Sequence, residues 1–238
     1  MSESETVERR SQTGAPNGHP GGVPTKFDAD GSVRHFPGNT IICHLPAESD
    51  LHKGLLRLSQ ELETANPETL YTLLPTPSWH MTVFEGVCDQ VRRPGFWPSD
   101  LPGDTSLDEC NAHFEKKLRQ FGLGTEPPFK LRIAGYTPRI DGIGLHLEPV
   151  DAIEQSRLRA LRDRLSETLC IRHPSHETYG FHLSIAYFIR HPTDIEREQL
   201  DARLMRHLAE FPSVFELGAP EFCHFDDMFA FRRQFYLE

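Results

Sequence analysis

No apolar run in this 238-residue chain approaches the roughly 20 residues needed to cross a bilayer, so a membrane-spanning helix is not expected. The chain begins Met-Ser-Glu-Ser-Glu and lacks the apolar core of a secretory signal. Cysteine is sparse. Cys43, Cys88, Cys110, Cys170 and Cys223 are odd in number, scattered, and never spaced C-x-x-C. That is the pattern of reduced thiols in a cytoplasmic protein, several of them in the core. Positive charge is also short: 25 Lys and Arg stand against 35 Asp and Glu, a net charge of −10. A long nucleic-acid footprint needs a basic stripe, so it is not expected here. A small anionic ligand or a strand terminus stays compatible, because a few local arginines can hold one. What remains is an ordinary globular composition, 37% hydrophobic and 25% charged, long enough for one large domain or two small lobes.

Against this background one phrase occurs twice. Trp79-His80-Met81-Thr82-Val83 returns 102 positions later as Phe181-His182-Leu183-Ser184-Ile185. Both alternate apolar, His, apolar, hydroxyl, apolar, which is the period of a β-strand. Each copy buries three apolar residues and presents an imidazole and a hydroxyl on the opposite face. The spelling His-x-[Ser/Thr] is weak by itself, since His80, His173, His176, His182 and His191 all satisfy it. His173 and His191 precede proline, which cannot donate within a central strand, and His176 lies in a polar stretch. Only His80 and His182 have strand context.

The same offset aligns Ile41, His44 and Leu45 with Ile143, His146 and Leu147. A helix-like segment follows each before the histidine strand arrives. Two strand–helix–strand units at one spacing indicate an internal duplication and a pseudo-twofold pair of lobes.

The remaining pattern fills in around these units. Residues 1–25, rich in Ser, Glu, Gly and Pro, read as a disordered tail. Residues 26–238 read as a single bilobal domain with lobes built around strands 39–86 and 142–189. Lys26 to Phe36 resembles a small hairpin turning at Asp28-Ala29-Asp30-Gly31. Helices are expected from the leucines at 51, 55, 58 and 62 with Ser49 as N-cap. A second follows the Ser106/Glu109 capping box, a third follows Asp151, and a fourth follows Thr193 and Glu196. The aromatic stretch 213–237 reads as strands with a turn at Asp226-Asp227. The mixture predicts an α+β fold: two antiparallel sheets flanked by helices, with a central groove.

A pair of histidines on facing strands suits phosphodiester displacement. One imidazole takes a proton from the attacking oxygen while the other protonates the leaving oxygen. Thr82 and Ser184, each two residues beyond its histidine, are placed to donate to the phosphoryl oxygens. These paired strands, about 100 residues apart, resemble those of the 2H phosphoesterase superfamily, which includes RNA ligase-like 2′,5′ enzymes and 2′,3′-cyclic phosphodiesterases. The likeness covers roughly residues 39 to 237, and the opening Lys26-Phe27-Asp28 and Phe36-Pro37-Gly38-Asn39-Thr40 looks like an uncharacterised branch. It implies a bilobal α+β fold and metal-independent hydrolysis or transfer with no cofactor. Its motif residues carry over to His80, Thr82, His182 and Ser184; the second motif has Ser where many members have Thr.

The expected activity is therefore a phosphodiesterase acting on a cyclic or 2′-linked phosphodiester of a nucleotide, an RNA end or a nucleotide-derived metabolite. A monomer without a membrane partner is expected. Two rivals stand beside it: a non-catalytic module that binds a nucleotide or RNA terminus, and a metal-dependent hydrolase using His173, His176 and His182. His44 and His146 are taken as structural strand histidines. Tyr179, Arg139 and Arg190 are ligand contacts only by type and position in the chain.

Overall fold

The computed structural model describes residues 18–66 and 69–238. Residues 1–17 of the expected tail lie outside the described residues. The rest of that tail is packed: Pro20 and Val23 are buried, and the Gly21 amide donates to the Asp141 carboxylate at 2.7 Å. Residues 20–25 thus join the folded body, because Val23 adds to the same core as Phe27, which is fully buried.

The chain runs β1 (Gly38–His44), α1 (Asp50–Thr64), β2 (Tyr71–Leu73), β3 (His80–Cys88), α2 (Leu107–Leu118), β4 (Phe129–Tyr136) and β5 (Gly142–Pro149). It continues with α3 (Ala152–Leu169), β6 (His182–Phe188), α4 (Asp194–Leu208), β7 (Val214–Leu217), β8 (Glu221–Phe225) and β9 (Arg232–Tyr236). All strand pairings are antiparallel. One sheet has the order β3-β1-β8-β9 and the other β2-β6-β5-β4-β7. The fold is α+β with two antiparallel sheets, as the pattern of strands and helices indicates.

The duplication is written in the register. In the first sheet Ile42, Cys43 and His44 pair with Thr82, Met81 and His80. In the second, Gly144, Leu145 and His146 pair with Ser184, Leu183 and His182. Every partner is displaced by the same 102 positions. So is the irregularity in the ladder, which falls between Ile41 and Ile42 and again between Ile143 and Gly144. The N-caps follow the same rule: Ser49 opens α1 and Asp151 opens α3, each accepting from a backbone amide in the first turn. Such identity of bulge and cap follows from two copies of one unit, since each bulge re-aims the side chains beyond it.

The two units are not separate bodies. β2 leaves the first unit to pair with β6 of the second, and a three-residue strand carries too little periodicity to be anticipated. The helix α3 packs on both β3 and β5. Its Arg162, with no exposed surface, donates to the Val83 carbonyl at 2.6 Å and to Glu85 at 3.1 Å. A single hydrophobic core, from Phe27 through Trp79, Phe181 and Leu204 to Leu237, runs through both sheets. Among the described residues no helix is long and apolar enough to cross a membrane.

Candidate active site

β3 and β6, one from each sheet, lie beside each other with Cα atoms within 8 Å. On both strands the even spacing places His80 with Thr82 and His182 with Ser184 at half-buried positions, while Met81, Val83, Leu183 and Ile185 are buried. The alternation then breaks at an apolar doublet, Val83-Phe84 and Ala186 after Ile185, and the next half-buried residues are Glu85 and Tyr187. The doublet is legible in the chain and marks the bulge. Reading it as such would have added Glu85 and Tyr187 to the groove.

Both histidines are held the same way. Nδ1 of His80 donates to the Ser78 carbonyl at 2.6 Å, and Nδ1 of His182 donates to the Gly180 carbonyl at 3.0 Å. A carbonyl only accepts, so each ring carries its proton on Nδ1 and its lone pair on Nε2 when neutral. Ser78 and Gly180 are again 102 positions apart. Anchoring by a local carbonyl fixes the ring orientation and the tautomer together.

The surroundings differ. His80 meets the edge of Phe231, ring centroids 4.3 Å apart, and the His44 ring at 6.3 Å. Burial, together with the nearby His44, His182 and Lys26, pushes its pKa down to about 3. That His182 acts on it places the two imidazoles in one electrostatic neighbourhood. His182 lies on the open side, its ring 5.9 Å from that of Tyr179. Burial together with Glu85 holds the Tyr179 phenol above its ordinary range. Beneath Tyr179 the Arg162 guanidinium stacks at 4.0 Å from the ring centre.

His44 is Cα partner to His80 and therefore shares its face. Its Nδ1 bonds the buried Glu221 carboxylate at 2.9 Å, and Arg233 approaches the same carboxylate at 3.4 Å. The equivalent His146 faces Gly135 across β4. Among the described residues, His44, Glu221 and Cys223 are the grouping with metal-ligating donors close together, within 4.8 Å.

Other candidates lie elsewhere. Nε2 of His173 donates to the Gly86 carbonyl at 3.0 Å and Nε2 of His176 bonds Asp163 at 2.8 Å, so these two do not converge with His182. Arg139 pairs with Asp201 at 2.6 Å and Arg190 with Glu196 at 2.6 Å. Both arginines serve local structure. Lys26, Glu85, Tyr187 and Phe231 come to the two histidine strands from positions far apart in the chain, with the fully buried Arg162 behind Glu85.

The family model 2H-phosphodiest, described as a domain of unknown function (DUF1868), matches residues 26–141. A crystal structure of the conserved protein of unknown function ATU0111 from Agrobacterium tumefaciens str. C58 superposes with a TM-score of 0.83 at 29% identity, covering 92% of this chain and 94% of that one. TT0787 of Thermus thermophilus gives a TM-score of 0.46 at 13% identity over 78% of this chain and 87% of that one. No curated protein matches. With duplicated histidine strands in two related sheets and a family match over residues 26–141, the chain is similar to the 2H phosphoesterase superfamily.

Proposed function

We propose that this protein is a metal-independent phosphodiesterase that opens a cyclic 2′,3′-type phosphodiester, or cleaves a 2′-linked one, at a nucleotide, an RNA end or a nucleotide-derived metabolite. The observation that carries the reading is the mirrored tether: each motif histidine commits Nδ1 to the carbonyl two residues back, which makes Nε2 the proton-handling atom.

His80 is the base. Its enclosed ring is neutral at pH 7, so Nε2 holds a lone pair ready for the proton of an attacking water. A phosphoryl anion between the rings opposes the shift and raises His80 toward the range where a base is effective. His182, on the open side, is the acid. As the water oxygen bonds phosphorus, the P–O bond to the leaving oxygen breaks, and that oxygen takes the proton from His182. The product is a phosphomonoester, and exchange with solvent resets both rings. Thr82 and Ser184 donate to the non-bridging oxygens, where charge accumulates. The unpaired cysteines suit a reducing, cytoplasmic setting.

Purified protein should hydrolyse 2′,3′-cyclic nucleotides in the presence of a chelator. His80→Ala and His182→Ala should each lower kcat by at least about 100-fold, the scale of general acid–base catalysis. Undiminished turnover in either variant refutes the pair mechanism. Loss of wild-type activity on chelation would point instead to a metal-dependent hydrolase.

A further inference from the structure

We infer that Lys26 is the fixed cation of the groove and that, with the Tyr187 hydroxyl, it binds a phosphoryl oxygen of the substrate. The inference takes its location from the catalytic reading above and adds a residue that no motif contains.

The segment carrying Lys26 is built onto β6. The Gly21 amide is tied to Asp141 at 2.7 Å. At Gly22 a Cβ would meet the Tyr187 ring at 3.1 Å, so the bare backbone lets the segment close on that ring. Phe27 packs on the same ring, centroids 5.2 Å apart. Between these anchors the Lys26 ammonium lies 3.0 Å from the Tyr187 hydroxyl, with the Tyr187 and Phe36 ring centres at 4.8 and 5.6 Å. Its hydrogen-bond partner is a neutral phenol and its flanks are aromatic. Asp141 acts on it through space while its carboxylate accepts from the Gly21 amide.

The duplication sharpens the point. Glu85 and Tyr187 occupy equivalent places, each the first half-buried residue beyond the bulge. Each has a cation at hydrogen-bond distance, Arg162 at 3.1 Å and Lys26 at 3.0 Å. Arg162 is fully buried and its charge is answered by the Glu85 carboxylate. Lys26 is half-buried, its hydrogen-bond partner is a hydroxyl and not a carboxylate, and Asp141 acts on it without a direct ion pair, so its remaining N–H donors can serve a ligand. In a chain of net charge −10, which repels anions at long range, a cation without a carboxylate in direct contact is where a phosphate is drawn in. The influence of Lys26 on His80 places the two in one groove.

The test compares wild type with Lys26→Met, which keeps the stem and removes the charge, and Lys26→Arg, which restores charge. Binding of inorganic phosphate is measured by calorimetry, alongside KM and kcat for adenosine 2′,3′-cyclic phosphate with and without a 5′-phosphate. Lys26→Met should weaken phosphate binding about 10-fold or more and raise KM with a smaller effect on kcat, with an unchanged melting temperature; Lys26→Arg should recover most of the loss. A KM increase shared by both nucleotides assigns Lys26 to the scissile phosphoryl; one confined to the 5′-phosphorylated nucleotide assigns it to a second phosphate. Phosphate binding by Lys26→Met equal to wild type, or no phosphate binding by wild type, overturns the inference. If wild type binds phosphate through Lys26 yet hydrolyses neither nucleotide, the anion site stands and the catalytic reading falls.

Discussion

Two side chains of identical chemistry and identical tethering are set apart here by their neighbours. Phe231 closes over His80, whereas His182 stands at the open edge beside Tyr179. Replacing Phe231 with alanine should admit water to His80 and raise its pKa toward the ordinary histidine range, by at least about one unit. A histidine proton titration by NMR reads this directly; an unmoved His80 resonance would show that Phe231 is not what excludes solvent. The hydroxyls offer a second comparison. Thr82→Ala should cost roughly 100-fold in kcat, as for removal of one oxyanion donor, while Thr82→Ser should keep most of the rate. Equal losses in the two variants would mean that Thr82 acts through its packing and not its hydroxyl. Here the limits of the chain as text are plain. His80, Thr82, His182 and Ser184 are legible from alternation and repetition. Phe231 and Lys26 are not, because nothing local to them differs from ordinary surface aromatic or basic residues; only chain reversal 151 and 54 positions away from His80 brings them in.

At the scale of elements, α3 joins the two sheets. Its Arg162 has no exposed surface, and the Val83 carbonyl and Glu85 on β3 share its charge. Removing one partner of a buried pair leaves the other uncompensated, so Arg162→Ala should destabilise the protein by about 3 kcal/mol in urea unfolding. A change below about 1 kcal/mol would show that solvent reaches Glu85 freely. Gly86, next to Glu85, is a position that only glycine fits. It adopts a φ of +64° in mid-strand, and a Cβ there would meet the Asn39 carbonyl oxygen at 2.2 Å. A second register shift, between Phe84 and Val87, falls here, beyond the one that sets Glu85 on the half-buried face. The helix starts were legible because caps are local chemistry: Ser49, Ser106, Asp151 and Thr193 all accept from first-turn amides. β2 was not, since a strand of three residues exists only by virtue of its partner β6.

For the whole molecule, burial of imidazoles sets the acid limit of stability. Burial holds the pKa of His52, His80, His173 and His224 below the ordinary histidine value. The unfolded chain therefore binds more protons than the folded one as pH falls below about 6.5. The stabilisation from keeping these rings neutral is complete above that pH and drains away toward the folded pKa, which for His80 is about 3. The melting temperature should thus decline steadily between pH 7 and pH 5, before the carboxylates titrate. His80→Phe, which cannot take up the proton, should show a shallower decline. A melting temperature constant over that interval would mean that the rings are solvated in the folded state.

The amino-acid sequence by itself determined the repeat, the face of each motif strand, most helix starts and the α+β class, because alternation, capping and duplication are properties of neighbouring residues. Only the tertiary structure decided which strand borders which sheet, which histidine is enclosed, and which cation meets the Tyr187 hydroxyl. Those depend on contacts between segments far apart in the chain, whose electrostatic effect comes from a shared low-dielectric space and not from spacing along the backbone.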